Sequence, residues 1–441
     1  MNTPICDFVR LYAGQDPIRG HMPGHKGVPR LGFEHLDITE LDGADSLYCA
    51  GGIIAESEKN AGSIFGANTF YSTEGSSQCI RAMLYLAKLY AAENGLPPKI
   101  AAGRNAHQVF ITASALLGLD VAWIYSDCSY LSCPIQPENL DAFLEENPVA
   151  AVYVTSPDYL GNTLDIAALA EVAHRHHCLL LVDNAHGAYL KFLEPSRHPM
   201  DLGADICCDS AHKTLSALTG AAYLHISYSA PEGLADKAKQ ALSLFGSTSP
   251  SYLILQSLDY LNLVLSCDYR EKLQFFIKKV ENLKFKLLQN GFILKGNEPL
   301  KITLSTKSYG YTGDDFARIL KEKNLYTEFH DPDFTVLMLT PDHQDEDLLK
   351  IEEILLSVPR RQTILQSPPV FSVPVQKLSP REVLYAPSET VAVQNSIGRI
   401  MAFSGVSCPP AVPIAVSGEI IDEQILSALN YYGFETIRVL K

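Results

Sequence analysis

Short, continuously apolar runs alternate with helical segments between about residues 64 and 265, and this alternation limits the possible folds most strongly. Residues 150–155 (AAVYVT) and 178–183 (CLLLVD) are apolar almost throughout, as expected for strands covered by helices on both faces. After Ser77, apolar side chains recur at helical spacing until the pattern stops at Gly95, which predicts a helix. Strands alternating with helices predict an α/β fold with a mainly parallel, doubly wound sheet.

The length of 441 residues indicates two or three domains. Residues 1–60 are rich in Gly, Pro and His with little periodicity, and we interpret them as an arm of functional loops. Residues 61–290 are predicted to form the large domain, and residues 291–441 a smaller α+β region. A stretch rich in Pro, Ser and Gln near residues 357–380 is predicted to be a connector within that region.

Charge and composition exclude several classes of protein. With 35 Lys and Arg against 50 Asp and Glu, the net charge of −15 has the wrong sign for a nucleic-acid binder. No apolar run approaches the ~18–20 residues needed to cross a membrane, and no secretion signal is evident, so we expect a cytoplasmic protein. The ten cysteines form no CxxC pair, which predicts mostly buried, reduced thiols and no metal site.

The segment 209–215 (DSAHKTL) places a lysine, Lys213, directly after a strand-like run and before a second one. A lysine in such a loop can form a Schiff base if its neighbours lower its pKa. The Ser and His that precede it could hold a phosphate. A solvated loop lysine is the alternative, and these residues alone leave it open.

Asp183, in the segment 182–187 (VDNAHG), lies at the carboxyl end of a predicted buried strand, where open α/β sheets bind ligands. It could equally be a helix cap. A carboxylate and Lys213 on neighbouring strands would fit a pyridoxal phosphate site. The carboxylate would keep the ring nitrogen protonated, and the lysine would hold the aldehyde.

Residues 72–77 (STEGSS) place small and hydroxyl side chains before a predicted helix, where backbone N–H groups and the helix dipole attract anions. Ordinary helix capping is the alternative. His107, in RNAH at 104–107, could be a cap, a core residue or a catalyst. No GxGxxG follows a strand, and the glycine-rich segment 20–27 lacks the ending of a nucleotide-binding phosphate loop.

Together and in this order, these stretches resemble the Orn/Lys/Arg decarboxylase family of pyridoxal-phosphate enzymes. The matching segments are HMPGHKG (21–27), DITELDGADSLY (37–48), GSIFGANTFYSTEGSS (62–77), RNAH (104–107), TSPDYLGNTLDI (155–166), VDNAHGAY (182–189), DSAHKTL (209–215), GSTSPSYLILQSLD (246–259) and GRIMAFSGVSCPPAVPIAVSGE (398–419). The resemblance implies the aminotransferase-like fold (fold type I), with a mainly parallel seven-stranded sheet between helices in the cofactor-binding large domain. The chain resembles the compact form, without the N-terminal wing domain.

The resemblance also implies roles for individual residues. Lys213 would hold the cofactor aldehyde, Asp183 would pair with the ring nitrogen, and His107 would stack on the ring with His186 close by. The phosphate would be bound by Gly75, Ser76, Ser77, Ser210 and His212. Ser247 and Thr248 would reach the cofactor of a partner subunit. His21, His25 and Glu419 would contact the substrate, with a surface glutamate as the alternative for Glu419.

The activity implied is α-decarboxylation of lysine, arginine or ornithine to the corresponding amine, as in polyamine synthesis, by a homodimer or higher oligomer with shared active sites. The chain departs from the family pattern at Glu74, Asn184 and Tyr189, around His107 at Ala106 and Gln108, and at residues 411–412. Two alternatives stay open. One is another pyridoxal-phosphate reaction, transamination or aldol cleavage, because such reactions share the cofactor residues. The other, suggested by these departures, is a non-catalytic relative that acts as an assembly or regulatory partner.

Overall fold

The computed structural model describes residues 1–125, 130–402 and 413–441. The helices are α1 (Pro4–Gly14), α2 (Ile53–Phe65), α3 (Ser76–Glu93), α4 (Gln108–Leu117), α5 (Pro137–Glu146), α6 (Ile166–Arg175), α7 (Ala211–Thr214), α8 (Ala238–Ser243), α9 (Tyr252–Ser266), α10 (Tyr269–Gln289), α11 (Gly313–Glu322), α12 (Asp345–Leu356), α13 (Pro380–Leu384) and α14 (Glu423–Tyr431). Across these three stretches, no helix combines the length and apolarity that crossing a membrane requires.

Over the first half of the chain, strands alternate with these helices. The strands of the described residues are β1 (Asn68–Ser72), β2 (Lys99–Gly103), β3 (Asp120–Ile124), β4 (Ala151–Thr155), β5 (Leu179–Asp183), β6 (Ile206–Asp209), β7 (Ala222–Ile226), β8 (Leu294–Lys295), β9 (Lys301–Ser305), β10 (Phe329–His330), β11 (Phe334–Met338), β12 (Ser388–Ala392) and β13 (Thr436–Leu440). The runs predicted from AAVYVT and CLLLVD are β4 and β5, and every residue of β5 is buried.

The large sheet has seven strands in the order β1-β7-β6-β5-β4-β2-β3. Strand β2 runs parallel to β3 and β4, and β5 runs parallel to β6. Strand β7 is antiparallel to both of its neighbours, β1 and β6. The predicted α/β fold with a mainly parallel seven-stranded sheet is therefore confirmed.

The chain forms two compact units, each built from two separate stretches. Unit 1 comprises Met1–Leu96 and Ile166–Leu273, and unit 2 comprises Pro97–Asp165 and Gln274–Lys441. The boundaries near residues 60 and 290 that we drew from the sequence assume continuous domains and stay a prediction.

Unit 1 contains a helix where the sequence analysis expected irregular loops. Helix α1 occupies Pro4–Gly14, begins with proline at its first position, and buries Ile5, Cys6 and Val9. Proline is well placed there because the first helical N–H has no partner within the helix. With Pro4, four buried residues on a helix of eleven give a pattern too short to identify against a Gly- and Pro-rich background.

The described cysteines are free thiols, and most are buried. Of the eight that the structure describes, Cys49 and Cys267 are exposed and the other six are buried. This agrees with the prediction of reduced thiols for these eight. Cys128 and Cys408 lie outside the described residues.

Unit 2 contains the predicted smaller α+β region. Its four-stranded sheet has the order β10-β11-β9-β8 with antiparallel neighbours, and β12 pairs with β13 in a second, two-stranded sheet. The connector predicted near residues 357–380 has no regular secondary structure between 359 and 375.

The turn between β10 and β11 buries a carboxyl group, that of Asp331. Its Oδ1 atom accepts hydrogen bonds from the backbone N–H groups of Asp333 (2.8 Å) and Phe334 (2.7 Å). Burial nevertheless raises the pKa of Asp331 from 3.8 to about 7, and the nearby carboxylates of Asp333 and Asp314 add to the rise. Between pH 4 and 7 the folded protein therefore binds a proton that the unfolded chain releases.

This proton makes the stability of the protein depend on pH. The free energy of unfolding should fall as the pH rises from about 4 to 7, because the unfolded state binds fewer protons than the folded state in that range. Above pH 7, Asp331 should cause no further fall. Asp331→Asn keeps an oxygen acceptor without a charge, so the loss between pH 5 and 8 should shrink by about 2–3 kcal/mol. Urea unfolding at both pH values measures this, with exposed Glu346→Gln as the control. An unchanged pH dependence in Asp331→Asn would contradict the assignment.

Candidate active site

Asp183 is the last residue of β5 and lies opposite Cys208 of the parallel strand β6. Its side chain is buried, with 3% exposed. The Oδ1 atom accepts a hydrogen bond from the backbone N–H of Ala185 at 3.2 Å and lies 3.6 Å from the Cys208 sulfur. A buried carboxylate thus stands at the carboxyl edge of the sheet, where the sequence analysis placed it.

Lys213 lies in the short helix α7, which follows β6 directly. Its Nζ atom is 2.9 Å from Nε2 of His186, which is three residues beyond the end of β5. Because β5 and β6 are parallel, both side chains come from the same edge of the sheet as Asp183. An ammonium group can only donate, so with Lys213 charged, His186 accepts at Nε2 and carries its proton on Nδ1.

The N-terminus of α3 faces this edge through a contact between two serines. Gly75 precedes the helix with φ 71°, a left-handed conformation that favours glycine. The hydroxyl of Ser210 donates to the hydroxyl of Ser76 at 2.8 Å, which joins the first turn of α3 to the segment that carries Lys213. The first N–H groups of a helix lack partners within it, so Ser76 and Ser77 present donors to an anion.

His212, of the predicted phosphate site, and Glu74, which directly precedes Gly75 of that site in the sequence, have contacts of their own. His212 Nδ1 lies 2.9 Å from the carbonyl oxygen of Ala221, so this nitrogen donates and a phosphate contact would need a proton on Nε2. Glu74, one of the departures from the family pattern, is exposed, and its Oε1 accepts a hydrogen bond from the backbone N–H of Ser247 at 3.4 Å. Ser247 and Thr248 are exposed, and their role towards a partner subunit stays a prediction.

The functional groups of these residues in unit 1 are those that pyridoxal phosphate requires. Lys213 offers an amine for the aldehyde, Asp183 a carboxylate for the ring nitrogen, and α3 an anion site for the phosphate. There is also room beside the first turn of α3. A Cβ placed on Gly75 would meet no heavy atom of a non-adjacent residue nearer than the Ser77 nitrogen at 4.0 Å.

His107, in unit 2, caps helix α4. Its Nδ1 atom accepts a hydrogen bond from the backbone N–H of Val109 at 3.2 Å, and the side chain is half-buried. The capping alternative that we kept open is thus realised, and it fixes the proton of the neutral ring on Nε2. The stacking role stays a prediction.

Glu419, in unit 2, is completely buried and paired with Arg104. Arg104 Nη2 lies 3.1 Å from Glu419 Oε2, which also accepts from the backbone N–H of Val416 at 2.7 Å. Arg104 donates further to the carbonyl oxygens of Pro413 (2.8 Å) and Ile414 (3.3 Å). Burial raises the pKa of Glu419 although Arg104 opposes the rise. The alternative of a surface glutamate is wrong, and a substrate role stays a prediction that must compete with this ion pair.

Breaking this ion pair should destabilise the protein. Arg104→Met leaves Glu419 as a buried charge without its partner, which we expect to lower the free energy of unfolding by about 3 kcal/mol. The double variant Arg104→Met, Glu419→Gln should recover part of the loss, because it removes the charge as well. Chemical denaturation of the two variants beside Arg399→Met, which breaks a half-exposed ion pair with Glu389, provides the comparison. Equal stability of Arg104→Met and the unsubstituted protein would contradict this prediction.

His21 and His25, in unit 1, belong to a loop tied together by its own hydrogen bonds. His25 Nδ1 accepts from the backbone N–H of Gly27 at 3.0 Å, so its Nε2 donates to Asp37 at 3.1 Å. His21 contacts the Tyr12 hydroxyl, and its carbonyl oxygen accepts from Lys26 at 2.6 Å. The suggested substrate contacts of both histidines stay predictions.

The sequence analysis missed a set of buried polar residues behind this edge of the sheet. Asp209, the last residue of β6, contacts His198, His225 and Asn184, and all four side chains have no exposed surface. Each histidine is isolated in the sequence, so no spacing pattern indicated a cluster. The one signal was Asp209 itself, a carboxylate directly after the apolar run ICC.

The sequence is similar to known proteins along nearly its whole length. The profile of a family described as Orn/Lys/Arg decarboxylase, major domain, matches residues 32–303. The chain is 30% identical to an arginine decarboxylase of Bacillus subtilis (strain 168), across 96% of this chain and 92% of the relative. It is 28% identical to an arginine decarboxylase of Halalkalibacterium halodurans, across 100% of this chain and 98% of the relative.

A solved structure supports the fold independently. Lysine decarboxylase A from Pseudomonas aeruginosa superimposes with a TM-score of 0.82 at 18% identity, covering 99% of this chain and 80% of that one. At this identity the likeness concerns the fold, which it shares with the chain described here.

Proposed function

The chain belongs to the Orn/Lys/Arg decarboxylase family, and from this we propose that it removes the α-carboxylate of a basic amino acid with pyridoxal phosphate as cofactor. The products would be carbon dioxide and the corresponding amine. Arginine is the first substrate to test, because similar relatives are named arginine decarboxylases, and lysine and ornithine remain candidates. The observation that supports this most directly is the 2.9 Å contact between Lys213 and His186 at the sheet edge that carries Asp183.

Each group of this site has a task in the proposed reaction. Lys213 would hold the aldehyde carbon of the cofactor, Asp183 would hold a proton on the ring nitrogen, and the first turn of α3 would bind the phosphate with Ser210. When bound, the cofactor supplies a protonated pyridine ring that takes up the electron pair left by departing carbon dioxide. A buried Asp183 suits its task, since a carboxylate shielded from water binds a cationic N–H strongly.

The contact between Lys213 and His186 provides a route for protons. Lys213 must lose a proton before its amine can act as a nucleophile, and His186 Nε2 is placed to accept it. After carbon dioxide leaves, a proton must be delivered to Cα, and Lys213 or His186 would return it. The two side chains would therefore act as one proton-exchanging pair.

Product analysis tests this proposal. Purified protein is incubated with pyridoxal phosphate and, separately, with arginine, lysine and ornithine, and both amine and carbon dioxide are measured. We expect equal amounts of the two products with at least one substrate. A keto acid without an amine would indicate an aminotransferase instead. A protein that takes up no cofactor would indicate a non-catalytic partner.

We also propose that the protein is a homodimer or higher oligomer that acts in the cytoplasm in polyamine synthesis. The arm of unit 1 exposes large apolar side chains, including Ile18 (102%), Leu31 (77%), Leu11 (66%) and Met22 (64%). Apolar side chains clustered in one segment mark interaction surfaces in soluble proteins. Light scattering should give a mass of at least twice 48.4 kDa, and a monomer would contradict this proposal.

A further inference from the structure

The carboxylate of Asp209 receives three N–H donors in the interior of unit 1. His198 Nε2 lies 2.9 Å and His225 Nε2 3.2 Å from its Oδ2, and Asn184 Nδ2 lies 2.7 Å from its Oδ1. Asp209 ends β6, whereas Asn184 directly follows β5. A chain of hydrogen bonds thus crosses from one strand end to the other at the edge that carries Lys213 and Asp183.

The hydrogen bonds define where the protons are. His198 Nδ1 accepts from the backbone N–H of Met200 at 3.3 Å, so its proton is on Nε2 and points to Asp209. Burial lowers the pKa of His225, which favours a neutral ring. Burial opposes the charge of Asp209, but the hydrogen bonds and attraction of the two histidines outweigh it and lower the pKa of the carboxyl. Asp209 is therefore a buried anion held by three N–H donors.

A metal site is the competing interpretation of the same residues. Ligand atoms of His198, Cys207 and Asp209 lie within 4.8 Å of one another. A metal at His198 Nε2 would have to displace the proton that the Met200 contact places there. It would also need a thiolate at Cys207, whose thiol pKa is raised by burial and by Asp209. The proton positions favour the hydrogen-bonded anion.

Asn184 connects this anion to the candidate active site. Its backbone N–H donates to the Cys208 carbonyl oxygen at 3.0 Å, and its amide donates to Asp209, so both ends of the residue are tied to β6. Asp183 comes immediately before it and is held from the other side by the N–H of Ala185. The orientation of Asp183 therefore depends on how firmly Asn184 is fixed.

We propose that Asp209 is a positioning residue of the active site, which acts through Asn184 to hold Asp183 in line with the ring nitrogen of pyridoxal phosphate. This inference rests on the proposed function. It assigns to His198 and His225 the task of keeping the Asp209 carboxylate charged and fixed, at a distance from the reacting atoms.

The test compares two cofactors that differ only at the ring nitrogen. Asp209→Asn is titrated with pyridoxal phosphate and with its analogue that has C–H in place of that nitrogen, and both dissociation constants are measured. Affinity for pyridoxal phosphate should fall about tenfold, since hydrogen bonds to charged groups are the strong ones. Affinity for the analogue should change by less than about twofold, because it has no ring N–H for Asp183 to bind. Equal losses, or no loss, would overturn the proposal.

Matched variants keep the test decisive. Asp205→Asn makes the same change at the opposite end of β6, where Asp205 pairs with His174 at 3.0 Å, and it should affect neither affinity. If Asp209→Asn does not fold, Asn184→Ala breaks the same connection and should show the same selective loss. Failure of the unsubstituted protein to bind pyridoxal phosphate would count against the proposed function instead.

Discussion

Substituting alanine for Lys213 is expected to reduce turnover by at least about 10³-fold, because no other group of the site can replace the amine that holds the cofactor. The protein should still fold, since Lys213 is half-buried and lies in a helix of only four residues. The visible absorption band of the bound cofactor should disappear with the activity. Absorption spectra and product formation measure the two effects on the same sample.

A second lysine of unit 1 provides the control for this experiment. Lys237→Ala breaks a surface ion pair with Glu93, 2.5 Å in length, and should leave both the spectrum and the turnover unchanged. If Lys213→Ala retained the band and most of the activity, another lysine would hold the cofactor. The proposed site would then be wrong.

Replacing Asp183 by asparagine should reduce kcat by about 10²–10⁴-fold, because the amide keeps the shape of the side chain but cannot stabilise a proton on the ring nitrogen. The hydrogen bond from Ala185 can persist, since the asparagine oxygen still accepts. The effect should therefore appear in kcat and in cofactor affinity, with little change in stability. Steady-state kinetics with saturating cofactor and thermal unfolding separate these quantities.

Asp236→Asn is the matched control for this charge change. Asp236 is an exposed residue of unit 1, so its loss should alter neither kcat nor the thermal midpoint. A large drop in stability of Asp183→Asn with normal kcat would show that Asp183 is a structural residue. Asp183 would then serve to hold the turn that follows β5, through its hydrogen bond with Ala185.

The strands, and the placement of Lys213 and Asp183 after neighbouring strands at one edge of the sheet, could be predicted because each rests on a local pattern. Fully buried strands such as β5 give continuous apolar runs, and the carboxyl ends of neighbouring parallel strands meet at one edge. Residues that follow such runs can thus be placed together from the sequence. Their assignment to a cofactor came from the resemblance to a family.

Contacts between distant single residues could not be predicted in this way. His225 is one polar residue within the apolar strand β7, and His198 caps a 3-10 helix of three residues, so neither belongs to a periodic pattern. From the sequence alone, Glu419 could be a surface residue, because its partner Arg104 is more than three hundred positions away. Only the folded chain brings such pairs together, and the cost of burying an unpaired charge then makes the pairing obligatory.

The division of the chain into two interleaved units has a consequence for its synthesis. A ribosome releases residues 97–165 before the second half of unit 1 and before Gln274, where the rest of unit 2 begins. This early portion of unit 2, including β2 and β4, must therefore wait while Ile166–Leu273 emerges and completes unit 1. For the same reason, no single peptide-bond cleavage can release either unit intact.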